Sequence, residues 1–288
     1  MSNTKIPPRV AAIHDLSCLG RCALTAVMPV LSALGVQAVP LPTAILSTQT
    51  DGFTDLFFRD MSGEMDAITD HFSRLDLRFD AIYSGFLGSA RQIGQVPAFI
   101  DRFGGNGPVL VDPVMGDDGA LYQTYTDELV SGMRELCRHA DIITPNYTEA
   151  CLLTGTPYLP ERGMDEGTLM SLCDALADKM RAMGPRRVVI TGLHTGDIVR
   201  TAAYDGDERF VCDRPRIAAR YPGTGDIFAS VLLGKLLSAV PFRDAVTDAC
   251  AFVGYTMTRT LEASPATPRR EGVLLEACLD RLIKSNRD

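Results

Sequence analysis

Apolar residues fall along the chain in two rhythms. In the first, a short, mostly apolar stretch ends at a polar residue or a glycine: RVAAIHD (9–15), FDAIYSG (79–85), VLVDPV (109–114), ADIITPN (140–146) and RVVITG (187–192). In the second, apolar positions recur at steps of three and four. SLCDALADKMRAMG (171–184) carries Leu172, Leu176, Met180 and Met183 in this way, and Gly184-Pro185 closes it. The first rhythm predicts strands buried on both faces, and the second predicts amphipathic helices packed against them. CALTAVMPVLSAL (22–34) predicts a helix stopping before Gly35, and VQAVPLPTAIL (36–46) an extended segment broken by prolines. TAAYDGDERFVCDR (201–214) has a turn signal at its middle and reads as a hairpin or flap. The stretch after Asp226 is nearly all apolar and predicts a buried helix, and EGVLLEACLDRLIK (271–284) predicts an amphipathic one.

Strands of this kind alternating with helices predict an α/β fold: a mostly parallel central sheet with helices on both faces, a three-layer sandwich. No internal repeat, low-complexity tract or linker divides the chain, so one domain over 1–288 is expected. Ligands of such sheets sit beyond the carboxyl ends of the strands. That draws attention to His14-Asp15, Gly85-Phe86, Asp112-Pro113, Pro145-Asn146, Thr191-Gly192 and the loop before Asp226.

Composition narrows the chemistry. A hydrophobic content of 46% and a charged content of 22% fit a large core, and the net charge of −8 argues against nucleic-acid or anionic-membrane partners, which want basic stripes. Eight cysteines are spread out, only Cys18 and Cys22 lying close together, so reduced and mostly buried thiols are expected rather than a zinc set. The start MSNTKIPPRV has no apolar signal core, and the apolar helix over 227–240 is interrupted by Lys235 and too short to span a bilayer. A cytoplasmic protein is expected, with Lys235 reaching out to the surface. The four histidines (14, 71, 139, 194) lack the spacing of a metal cluster. Arg91 and Arg220 are candidates for meeting phosphate, though ordinary surface arginines look the same.

YPGTGDIFAS (221–230) carries the most specific chemistry. Gly223-Thr224-Gly225 can turn sharply and aim successive N–H groups at one point, adding to the unpaired donors of the helix that follows. Such a pocket suits a phosphate, and Asp226 beside it suits an incoming hydroxyl. Asp is also a favoured helix N-cap, so the motif alone is compatible with a plain turn. No G-x-x-x-x-G-K-[ST] occurs. VDPVMGDD (111–118) places Asp112, Asp117 and Asp118 after one strand, and TPNYTE (144–149) places Asn146 and Glu149 after another, an oxygen-rich set suited to Mg²⁺ carried on a nucleotide.

With "AIHDLSCLGR", "LPTAILSTQT", "FDAIYSGFLGS", "VLVDPVMGD", "DIITPNYTEACLLTG", "VVITG" and "GTGDIFAS" together, the chain resembles the ribokinase-like superfamily and, within it, the vitamin B6 (pyridoxal/pyridoxamine) kinases, over roughly residues 9–285. The resemblance implies ATP-dependent phosphorylation of the 5′-hydroxymethyl group of pyridoxal, pyridoxamine or pyridoxine. It implies Asp226 as catalytic base and Gly223, Thr224 and Gly225 as the anion hole for the moving phosphoryl group. Asp112, Asn146, Glu149 and Thr191 would serve the nucleotide, with Asp112 and Glu149 managing the metal. Asp15, Ser47, Thr50, Phe86 and Asp226 would meet the vitamin. Mg²⁺, ATP as co-substrate, an optional monovalent cation and a homodimer also follow from the resemblance. Many pyridoxal kinases carry Ser where this chain has Asp15, whereas the hydroxymethylpyrimidine kinases of thiamine synthesis carry Asp; Ser47 follows the pyridoxal kinases. A hydroxymethylpyrimidine kinase is therefore the nearest rival. A non-catalytic ligand sensor on the same fold and a Mg²⁺-dependent hydrolase are the rivals from other classes.

Overall fold

The computed structural model describes residues 6–105, 107–161, 163–263 and 269–285. Its nine-stranded sheet takes in strands from Arg9 to Pro215. The chain runs β1 (Arg9–Leu19), α1 (Ala23–Ala33), β2 (Gln37–Thr48), β3 (Phe58–Asp60), α2 (Ser62–Arg74), β4 (Ala81–Ser84), α3 (Ala90–Phe103) and β5 (Val109–Val111). A small hairpin follows, β6 (Gly116–Asp117) and β7 (Ala120–Leu121), then α4 (Asp127–Cys137), β8 (Ile142–Ile143), α5 (Tyr147–Thr154) and α6 (Glu166–Arg181). The last elements are β9 (Arg187–Thr195), β10 (Ile198–Asp205), β11 (Glu208–Pro215), α7 (Thr224–Leu237), α8 (Phe242–Ala263) and α9 (Leu279–Ser285).

The strand order is β11-β10-β9-β8-β5-β4-β1-β2-β3. The six strands from β9 to β2 are parallel, and β3, β10 and β11 join antiparallel. Alternation along each strand sends its side chains to two separate cores. Ala11, Ile13, Ile82, Val109, Val111, Ile143, Val188 and Ile190 face a core shared with α2 to α6. Val10, Ala12, Ala81, Tyr83, Leu110, Ile142 and Val189 face the other, shared with α1, α7, α8 and α9. The three layers expected from the apolar rhythm are thus present. The chain leaves β1 towards β2 on one side and returns to β4 on the other, so a crevice opens where β1 and β4 end.

Some expectations need correction. Prolines do not break β2. Gln37 donates its N–H to Pro8, so by alternation Pro40 and Pro42 turn away from β1, where a missing donor costs nothing. Of the two alternatives for 201–214 the hairpin holds and the flap does not: β10 and β11 are joined at Gly206-Asp207 and extend the sheet beyond β9. Lys235 does not reach out to open solvent. Its side chain is buried, and its ammonium lies 3.1 Å from Asp248 on α8. The segment 271–284 is not one helix. Gly272 sits at φ +80 against Arg21, and Leu274 gives its N–H to the Thr260 hydroxyl, so only α9 is α-helical there. Six cysteines are buried, Cys22 is half-buried and Cys18 exposed, all as free thiols. Among the described residues no helix is long and apolar enough to cross a membrane.

Candidate active site

The crevice is built from the carboxyl ends of β1, β4, β5 and β8 and the start of α7. Gly223, at φ +82, caps α7. A Cβ there would lie 2.0 Å from the Arg21 carbonyl oxygen, so only glycine lets the loop press against the segment joining β1 to α1. The first intrahelical bond is from the Ile227 N–H to the Gly223 carbonyl, which leaves the N–H groups of Thr224, Gly225 and Asp226 ahead of the ladder. Gly225 lies over Asp112: a Cβ on it would stand 3.7 Å from Asp112 Oδ2.

Asp226 is anchored by an N–H from a distant part of the chain. Ala23 donates to its Oδ2 at 2.8 Å. Ala23 itself adopts φ 46, the left-handed region that a residue with a Cβ avoids at a cost of roughly 1–2 kcal/mol. Strain of this kind collects where a donor must be aimed. On the other side of the carboxylate, His14 Nδ1 lies 3.8 Å from Oδ1.

Four acids crowd this end of the sheet. Burial pushes Asp226 up to about 8, against the Ala23 hydrogen bond, with the charges of Asp112 and Asp15 adding to the rise. Asp112, at the end of β5, accepts the Thr144 hydroxyl at 2.9 Å, and burial takes it to about 7. Asp15 is raised to about 6 by burial despite the Ser17 hydroxyl donated to it at 2.7 Å. Glu149 is raised by burial and by Asp112, although it accepts the N–H groups of Met115 at 3.1 Å and Asn146 at 2.8 Å. Asn146 returns the contact by accepting the Glu149 N–H, closing a capping box at the start of α5, and donates its amide to the Gly116 carbonyl at 2.8 Å. A cluster of carboxyls held above their ordinary range in a cleft is a mark of a functional site.

The fold therefore brings together Asp15, Asp112, Asn146, Glu149 and the loop from Gly223 to Asp226. Thr191 adjoins them through a parallel bridge to Asn146. Phe86 follows β4, half-buried, its ring 6.1 Å from that of Tyr125. Ser47, near the end of β2, and Thr50, just beyond that strand, are exposed; Ser47 Oγ accepts the Phe57 N–H at 2.9 Å. Arg91 is elsewhere, paired across helices with Asp66 at 2.7 Å. Arg220, just before the glycine loop, is bound by Asp118 through both guanidinium arms. Sequence reasoning missed His14 as a neighbour of Asp226, the Ala23 donor, and the close approach of His14 that requires glycine at 85. The adjacent H-D at the end of the first strand and the glycine after the fourth were the available signals. It also missed the capping box, legible as N-Y-T-E.

Among the described residues no three His, Cys, Asp or Glu side chains form a ready metal cage. The acidic pair still fits an oxygen-seeking dication completed by phosphate oxygens, because burial raises both carboxyls, the charge of Asp112 raises Glu149 further, and a cation would relieve both.

The sequence profile of the phosphomethylpyrimidine kinase family matches residues 12–267, from β1 to beyond α8. The chain belongs to the phosphomethylpyrimidine kinase family. Relatives of this kinase carry two kinds of name. The hydroxymethylpyrimidine/phosphomethylpyrimidine kinase of Bacillus subtilis is 30% identical over 237 residues, covering 80% of this chain and 81% of that one. A Bacteroides thetaiotaomicron protein, provisionally named a phosphomethylpyrimidine kinase, has been crystallised with pyridoxal; it superposes with a TM-score of 0.85 at 37% identity, covering 96% of each chain. The pyridoxal kinase of Leishmania donovani, solved with ADP and pyridoxamine, superposes with a TM-score of 0.84 at 25% identity, covering 95% of each chain. The sheet order and flanking helices of this kinase are thus those of a ribokinase-like fold, as the motifs led one to expect.

Proposed function

We propose that this kinase transfers the γ-phosphoryl group of ATP to the 5′-hydroxymethyl oxygen of a B6 vitamer, pyridoxal, pyridoxamine or pyridoxine. The observation that carries the reading is the placement of Asp226. Its carboxylate is tethered at Oδ2 by Ala23 and stands at the mouth of α7, beside backbone donors not used by the helix. Phosphoryl transfer has a loose transition state, so alignment and charge neutralisation dominate it. The N–H groups from Gly223 to Gly225 receive the moving phosphoryl oxygens. Asp226 lines up the hydroxyl and accepts its proton late. Asn146 and Thr191 line the nucleotide side. Asp112 and Glu149 would hold Mg²⁺, with a monovalent cation as an addition; the dication supplies neutralisation of phosphate charge. Asp15, Ser47, Thr50 and Phe86 face the ring. ADP in the Leishmania enzyme supports the nucleotide, and pyridoxal in the Bacteroides relative supports the vitamin. One kinase domain over 1–288, assembled as a cytoplasmic homodimer, completes the proposal.

A second reading is phosphorylation of hydroxymethylpyrimidine. Asp15 favours it, as does the name of the Bacillus relative. Steady-state kcat/KM for the three vitamers and for the pyrimidine alcohol separates the two. A vitamer preference of tenfold or more is expected, and a pyrimidine preference would replace the first reading by the second. ATP turnover that is equally fast without any alcohol would remove both.

A further inference from the structure

His14 has no part in the reading above, yet it is the most constrained polar side chain at the site. It is fully buried, and neither ring nitrogen has a hydrogen-bond partner. A buried polar group left in that state costs roughly 1–3 kcal/mol, so its presence calls for a reason. The space it occupies is specific. A Cβ on Gly85 would lie 2.3 Å from Nδ1 and 2.5 Å from Cε1, so the residue after β4 has to be glycine for the ring to fit. Tyr83 on β4 meets the ring edge-on, with centroids 4.3 Å apart, and limits its rotation. In that slot Nδ1 stands 3.8 Å from Asp226 Oδ1, while Oδ2 already accepts from Ala23.

We propose that His14 is the positioning residue for Asp226: it donates Nδ1–H to Oδ1 once substrate draws the two together, so that both carboxylate oxygens are tethered and the remaining lone pairs point at the reacting hydroxyl. Catalytic hydrogen bonds are commonly long in ligand-free sites and tighten in the reactive complex. The imidazole stays neutral, since burial lowers its pKa to about 3. It therefore serves as a donor and holds no charge of its own. The titratable groups around the pair are Asp15 on β1, Cys22 before α1, Tyr83 on β4, Asp112 after β5 and Tyr122 after β7. Cys22, Tyr83 and Tyr122 are raised by burial and stay neutral, and the charges that disfavour an ionised Asp226 are those of Asp112 and Asp15. A neutral donor at Oδ1 acts in the opposite sense and favours the carboxylate.

This inference rests on Asp226 being the base, and the test separates the two. Asp226→Asn, His14→Leu and His14→Asn are assayed in the full-length enzyme with pyridoxal and ATP across pH 5 to 9. His14→Leu is expected to lower kcat about 10- to 100-fold, to leave the KM for ATP within about twofold, and to move the acid limb of the kcat profile upward by about half a pH unit or more. His14→Asn, whose amide can stand where Nδ1 stood, should recover most of kcat and the original limb. If Asp226→Asn stays active, the base assignment fails. If Asp226→Asn is inactive but His14→Leu keeps kcat and its acid limb, or Leu and Asn variants lose activity equally, only the role of His14 fails. Should His14→Leu not fold, ¹⁵N-histidine spectra of the wild-type enzyme with a non-hydrolysable ATP analogue and pyridoxine decide. The Nδ1-protonated tautomer supports the proposal and the Nε2-protonated tautomer overturns it.

Discussion

Carboxylates in two parts of this molecule meet opposite fates. On the outer surfaces they sit against arginines. Asp66 is held below its ordinary range by hydrogen bonds from Arg91 and Gln95, Asp213 by Arg200, and Asp118 by Arg220. At the carboxyl ends of the parallel strands, Asp15, Asp112, Glu149 and Asp226 are all raised, with burial the first cause in each case. The outer acids are satisfied by the chain itself. The inner ones are left with an electrostatic debt that a cationic ligand would cancel, and this is what separates a binding site from a stabilising ion pair. The same backbone that crowds the acids also carries strain, at Ala23, in aiming one donor at Asp226.

The comparison can be broken at several points. Asp226→Asn should lower kcat by roughly 10²–10⁴-fold with little change in ATP affinity, as measured by steady-state kinetics and nucleotide titration. Gly223→Ala brings a methyl to 2.0 Å from the Arg21 carbonyl oxygen and imposes a left-handed alanine. It should cost about 2 kcal/mol or more in urea unfolding and abolish most activity. Asp112→Asn should act the other way on stability. An acid whose folded pKa is above its unfolded value binds its proton more tightly when folded, so stability is lost as pH rises from the ordinary 3.8 through the folded value near 7. The ligand-free Asn variant should therefore melt about 2–4 °C higher than wild type at pH 8, with the gap closing below pH 4. A wild type that is more stable at pH 8 would mean the inner acids are already compensated. Ala23→Gly should add about 1 kcal/mol by relieving the left-handed alanine. Arg91→Ala, at an exposed pair, should change stability by no more than about 0.5 kcal/mol.

Much of this contrast was legible in the sequence. Short apolar runs made the strands plain, and the polar residue ending each run marked the side of the sheet to search. Asp112 and Asn146 were singled out in this way, Glu149 from the T-P-N-Y-T-E pattern and Asp226 from the glycine loop before an apolar helix. Contacts between segments far apart in the chain were not legible. Nothing local tells that the N–H of Ala23 reaches a carboxylate 203 positions later, or that Lys235 has Asp248 opposite it on the next helix. The C-terminal segment shows the reverse failure. Its apolar spacing satisfies a helix, yet Thr260 captures the N–H of Leu274 and an unhelical path results. His14 belongs with the contacts that were not legible: its slot is set by the glycine just after another strand, β4.

One feature of β2 reaches beyond the catalytic end. Pro40 and Pro42 turn their donorless nitrogens to the side of β2 that β3, pairing only with Ala44, Ile45 and Leu46, leaves uncovered. A foreign strand approaching there would find no N–H at either of these two positions. At the far margin β11 ends in Pro215 and presents Glu208, Arg209, Asp213 and Arg214 among its eight residues. Both flanks of the sheet thus resist templated growth through a shared ladder.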